Sequence, residues 1–90
     1  MTGKEYKIKV YRTAKFVVAH VGEPKRDDFF RNDFRAVKFV DISTGKIFTN
    51  SLFDGHYDRL KNDLTEGNTV EIVYETDMGW IKSLNGQRWN

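Results

Sequence analysis

The sequence predicts a small all-β domain: five strands closed into a barrel, with one short helix between strands three and four. Three observations carry this reading. Apolar and polar residues alternate with a period of two along most of the chain. The spacing becomes helical once, from Asp54 to Glu66, and reverts after Gly67. A sheet of this size must also protect its edges, and closure is the most thorough way to do so. The 90 residues make one domain, residues 1–90, and a chain this short buries roughly two-thirds of the surface it exposes when unfolded. Seven Phe, four Tyr and two Trp supply one small core and argue against disorder.

The first strand is expected around Tyr6-Lys7-Ile8-Lys9-Val10-Tyr11, where Tyr6, Ile8 and Val10 share the apolar face. Phe16 to Val21 is a second β-rich run. The break at Arg12-Thr13-Ala14 is either a turn or a bulge in one long bent strand. Gly22 to Asp28, with its Pro and charges, reads as loop. Phe29 to Asp33 continues that loop or forms a single helical turn. Phe34 to Ile42 is the next strand, with Ala36, Lys38, Val40 and Ile42 on one side and Arg35, Val37, Phe39 and Asp41 on the other. A hairpin turn follows, where Gly45 supplies positive φ, and Ile47 to Phe53 returns as a strand. In the helical stretch Tyr57, Leu60, Lys61 and Leu64 form a stripe. Asp54 is the expected N-cap, and Gly67 suits the left-handed position past the helix end. Thr69 to Glu75 points Val70, Ile72 and Tyr74 inward. Asp77-Met78-Gly79 is a tight turn, Trp80 to Leu84 the last strand, and Asn85-Gly86 opens a tail.

The net charge of +2 conceals an asymmetry. Residues 1–15 hold five cations against Glu5, a net +4, and residues 16–53 add +1. Residues 54–77 set Arg59 and Lys61 against seven carboxylates, a net −5. If the basic and acidic segments lie on different faces, one face is suited to attract a polyanion and the other to repel it; a solvated surface of ordinary composition is the plainer alternative.

Most chemistry lacks its signature. The chain has no Cys, hence no disulfide framework, thiolate metal site or Cys nucleophile, a composition suited to a reducing, cytoplasmic setting. No apolar run reaches membrane-spanning length and the first ten residues lack a signal-peptide core. His20, expected to be partly buried and structural, and His56, expected to be solvated, belong to no metal motif. Ser43, Ser51 and Ser83 lack a nucleophile-elbow context, and the seven scattered Gly form no phosphate loop. No catalytic residue, metal or cofactor is expected, and the chain does not read as an enzyme.

The stretch Leu60-Lys61-Asn62-Asp63-Leu64-Thr65-Glu66-Gly67-Asn68-Thr69-Val70-Glu71-Ile72 resembles the helix-to-fourth-strand junction of the OB-fold, the oligonucleotide/oligosaccharide-binding barrel. The likeness covers about residues 5–84 and is one of pattern; SH3-like barrels use similar pieces and are the alternative. The order of elements is similar to that of single-stranded DNA-binding OB domains of bacteria and their phages, without the Gly-rich, acidic-tipped tail of the larger cellular binders. That resemblance implies a binding face across strands two and three, rimmed by two loops. Here it implies Arg35, Lys46 and Phe48 on the face, Phe29, Phe30 and Arg31 in one loop, and Trp80 with Lys82 beyond it at the other. Rings that stack on bases and cations that follow phosphates are what single strands require. Arg59, Lys61 and Glu71, in the acidic segment, should matter less. Two functions follow: a non-catalytic module preferring single-stranded nucleic acid, DNA above RNA, or a protein-docking module using a strand edge or the Phe29-Phe30 loop.

Overall fold

In a computed structural model, residues 9–29, 31–76 and 79–90 are described. Seven strands and one helix follow in the order β1 (Tyr11–Val21), β2 (Lys25–Asp27), β3 (Asn32–Asp41), β4 (Ile47–Phe53), α1 (Asp54–Leu60), β5 (Thr69–Glu75), β6 (Ile81–Leu84) and β7 (Gln87–Arg88). All pairings are antiparallel. The path β3-β1-β5-β6-β7 is continuous, and β4 and β2 both pair with β3.

The architecture is all-β with one short helix between β4 and β5, as expected, but two features correct the sequence reading. Among the described residues there are seven strands, not five, and the sheet is not closed into a barrel: no backbone ladder joins β4 to β6 there. The extra strands are short. Lys25–Asp27 folds back on Asn32–Phe34 within the expected loop, and Gln87–Arg88 pairs with Ser83–Leu84. The latter hairpin is made by Asn85 and Gly86, both at positive φ (50° and 79°), the conformation that lets a two-residue turn match the strand twist. What read as the start of a tail is thus an Asn-Gly hairpin.

β1 settles the open choice at its middle. It is one strand, paired with β5 through Tyr11–Val17 and with β3 from Phe16 onward. The irregularity lies not at Arg12–Ala14 but between Val18 and His20, where the register with β3 shifts. That shift reverses the alternation. Phe16 and Val18 point inward, then Val21 does so opposite Val37, and His20 turns out beside Lys38. His20 is therefore exposed, contrary to expectation. Gly22 follows at a close approach: its N–H donates to the Ala36 carbonyl at 2.8 Å, and a Cβ there would meet that oxygen at 2.9 Å. The strand expected from Tyr6 begins only at Tyr11; Tyr6, Lys7 and Ile8 lie outside the described residues, and Val10 is exposed rather than inward.

The helix spans Asp54–Leu60, shorter than the expected 54–66. Its stripe does continue: Asp63 and Leu64 donate to the Leu60 carbonyl in a tightened turn, and Leu60 and Leu64 are both buried. Gly67, at positive φ, donates to Val18 O, and Val18 N donates to Asn68 O. These bonds tie the chain to β1 after about two helical turns, so the helix stops early. Phe53, not Asp54, is the N-cap, and no side chain caps the helix. Asp54 instead accepts from Arg35.

The core comprises Phe16, Val18, Val37, Phe39, Leu52, Leu60, Leu64, Val70, Ile72, Ile81, Leu84 and Trp89. Val70 and Ile72 face inward with half-buried Tyr74 packed beside them, as the alternation of β5 requires. Trp89 was not anticipated. It is 2% exposed, meets Phe39 edge-on at 6.0 Å between centroids, and donates its indole N–H to Ser51 O at 3.3 Å. With the Asn50 Nδ2 to Gly79 O bond at 3.2 Å, it spans the seam where a β4–β6 ladder is missing.

Candidate nucleic-acid interface

The outward residues of β3 and β4 meet across the strands as Phe34–Phe53, Ala36–Ser51, Lys38–Thr49 and Val40–Ile47. Alternation forces this, because Val37, Phe39 and Leu52 occupy the inner face. Two half-buried rings, Phe34 and Phe53, thus lie side by side on the outside of the sheet. Beyond β4, where the sheet stays open, they contribute to a groove of about 280 Å³ completed by Asp27, Ser51, His56 and Trp80 among others.

Trp80 stands at the centre of this surface. It is 61% exposed and follows the turn in which Gly79 N–H donates to Glu75 O. Its ring borders three depressions: the aromatic groove, a polar one floored by Thr49, Asn50 and Ser51 along the seam, and a third walled by Lys9, Tyr11 and Lys82 with Glu75. In the third, the Lys82 ammonium lies 4.5 Å from the Tyr11 ring centroid, within cation–π range.

The other sequence-predicted residues are spread more widely. Phe48 faces inward, stacked on Phe16 at 5.6 Å and tilted against Tyr74 at 5.4 Å. Arg35 also points to the inner side. Its Nε lies 3.2 Å from Asp54 Oδ1 and its guanidinium 4.3 Å from the Tyr57 ring centroid. Lys46 is exposed at the β3–β4 turn. Phe29, 85% exposed, and Arg31, at positive φ, sit at the tip of the β2–β3 hairpin. Asn32 and Asp33 belong to β3 rather than to a helical turn, and Phe29 is an exposed ring; Phe30 lies outside the described residues, as do Asp77 and Met78.

The expected set thus divides. Trp80 and Lys82 border the depressions around the ring, Phe29 and Arg31 stand at one rim, Lys46 lies at the other hairpin, and Arg35 and Phe48 belong to the interior side. Phe34 and Phe53 were missed as site residues, although their positions on the face opposite Val37 and Leu52 were readable from alternation once the inward face was known. Among the described residues no group of three or more His, Asp or Glu side chains is arranged to hold a metal. No described helix is long and apolar enough to cross a membrane. In comparisons with known proteins, no family model, curated protein or solved structure matches the chain.

Proposed function

We propose that the protein is a non-catalytic, OB-like module that binds single-stranded nucleic acid, DNA in preference, across the outer face of β3 and β4 and around Trp80. One observation carries the reading. An exposed Trp stands between a pair of outward Phe rings and a depression walled by two Lys. Stacking rings beside cations are the two elements sequence-tolerant single-strand binding needs. The strand order supports the OB-like reading: β4-β3-β1-β5-β6, with the helix entering β5, is the OB order interrupted at one junction. The cations are few, so binding is weak, non-specific and salt-sensitive.

Titrating poly-dT while following Trp fluorescence, at low and high salt, tests this. Affinity should fall with a slope of about −0.7 in log–log form for each phosphate contact. Tight binding to duplex with no preference for single strands would overturn it.

Protein docking is the second reading. Phe29 projects from a hairpin tip, and among the described residues β4 pairs on one side only, with β3, leaving an edge for an added strand. A partner held by apolar contact would remain bound in high salt, and poly-dT would not bind at about 20 mM salt, where electrostatic attraction is least screened.

A further inference from the structure

The groove does not end at the aromatic pair. His56 and Asn90 wall both the groove and a further hollow of about 410 Å³, whose other lining residues are Arg59, Gln87 and Arg88. Arg59 comes from the helix and Arg88 from β7, and no carboxylate side chain lines the hollow. Asp54 is engaged with Arg35, and Asp63 accepts from the Gln87 amide at 3.1 Å, at the edge of the hollow. Neither arginine makes an ion pair among the described residues; Arg59 Nη2 donates only to Trp89 O, at 3.5 Å. The β6–β7 hairpin places Arg88 beside a helix whose surrounding sequence is acidic, so a positive site is assembled where the charge of the segment alone argues against one.

We propose that Arg59 and Arg88, with the His56 imidazole, form a second phosphate-binding site that takes the sugar-phosphate backbone of a single strand leaving the aromatic groove. The inference rests on the proposed function, and it extends the footprint into the acidic segment. Guanidinium forks suit phosphate oxygens and carry their charge at any physiological pH. The depressions share walls in sequence: Trp80 and Ile81 join the Lys9–Lys82 depression to the seam, Ser51 and Trp80 join the seam to the aromatic groove, and His56 joins the groove to this hollow. Phosphates therefore find cations at both ends of a trough whose middle offers rings to the bases.

The test compares the full chain with Arg59→Ala/Arg88→Ala and Arg59→Lys/Arg88→Lys, using oligothymidylates of about four and about twelve nucleotides. For the longer oligomer the alanine pair should flatten the salt slope by roughly 1.4, two contacts' worth on single strands. The lysine pair should keep the slope, and the shorter oligomer, filling the groove alone, should bind all three proteins equally. An unchanged slope with the longer oligomer overturns the second site and leaves the groove reading intact. Equal weakening for both oligomers also overturns it, since the arginines would then act inside the groove. If the unmodified chain binds neither oligomer, the groove reading fails and the second site with it. Should the alanine pair melt early, Arg88→Ala alone, on exposed β7, must still flatten the slope by roughly 0.7.

Discussion

Phe48 and Trp80 lie on either side of Gly79. A Cβ at Gly79 would come within 3.0 Å of the Phe48 ring, so the turn closes over Phe48 while the next residue projects into solvent. The two rings, both candidates for stacking on bases, should therefore respond oppositely to removal. Trp80→Ala should leave the melting temperature unchanged and cost roughly 1–3 kcal/mol of single-strand affinity. Phe48→Ala removes a ring packed on Phe16 and Tyr74 and should cost about 2–3 kcal/mol of stability, less than a fully enclosed ring. Thermal melting beside fluorescence titration separates the two; a Trp80→Ala protein unchanged in both would remove Trp80 from the site. Arg35 behaves like Phe48 on a smaller scale. Its partners are Asp54 and the Tyr57 ring, so Arg35→Ala should cost on the order of 1 kcal/mol of stability and leave the salt slope where it was. A flattened slope would mean that Arg35 leaves its pair to meet phosphate.

The elements show where sequence is informative and where it is silent. Alternation locates β3, β4 and β5 closely: β3 and β5 carry buried residues two apart, Val37 and Phe39 or Val70 and Ile72, and in β4 the exposed Ile47, Thr49 and Ser51 alternate with the more buried Phe48, Asn50 and Leu52. It does not say which side of β3 is inner, since Ala36 and Val40 make the other side apolar too. Hence Phe34 and Phe53 escaped notice as outward rings. A bulge is likewise invisible in composition, yet the one near Val18 decides that His20 faces water. β2 is three residues of charge with no apolar signal, and Trp89 is a lone ring after a turn, so period had nothing to detect. The Asn85-Gly86 turn, by contrast, carries a hairpin signal in its residue types, although in sequence it reads as the start of a tail. It yields a prediction for its hairpin: Gly86→Ala, at φ 79°, should destabilise by about 1 kcal/mol or more, measured by denaturant melting. No loss would show that β7 is dispensable to the fold.

At the scale of the whole molecule, the sheet has two ends where a closed barrel would have none. The seam between them is held by Trp89 and Asn50 rather than by a backbone ladder. Trp89→Ala should consequently be among the most damaging single changes, about 3–5 kcal/mol, read as a fall in denaturation midpoint. Amide exchange should be slowest in β1, β3 and β5, each paired on both edges, and fastest along the outer edge of β4. Uniform protection across all strands would contradict an open sheet.

Such a sheet is a band fastened by a clasp, and a clasp can be tightened from outside. A nucleic-acid strand lying in the trough would press on β4 from one side and on Trp80 and β7 from the other, bridging the join it covers. Occupancy would then reach beyond the contact surface. Exchange at the fastening residues, Asn50, Ser51 and Trp89, would slow in the bound protein, and ligand affinity would be coupled to the rigidity of a join that the chain by itself leaves half made.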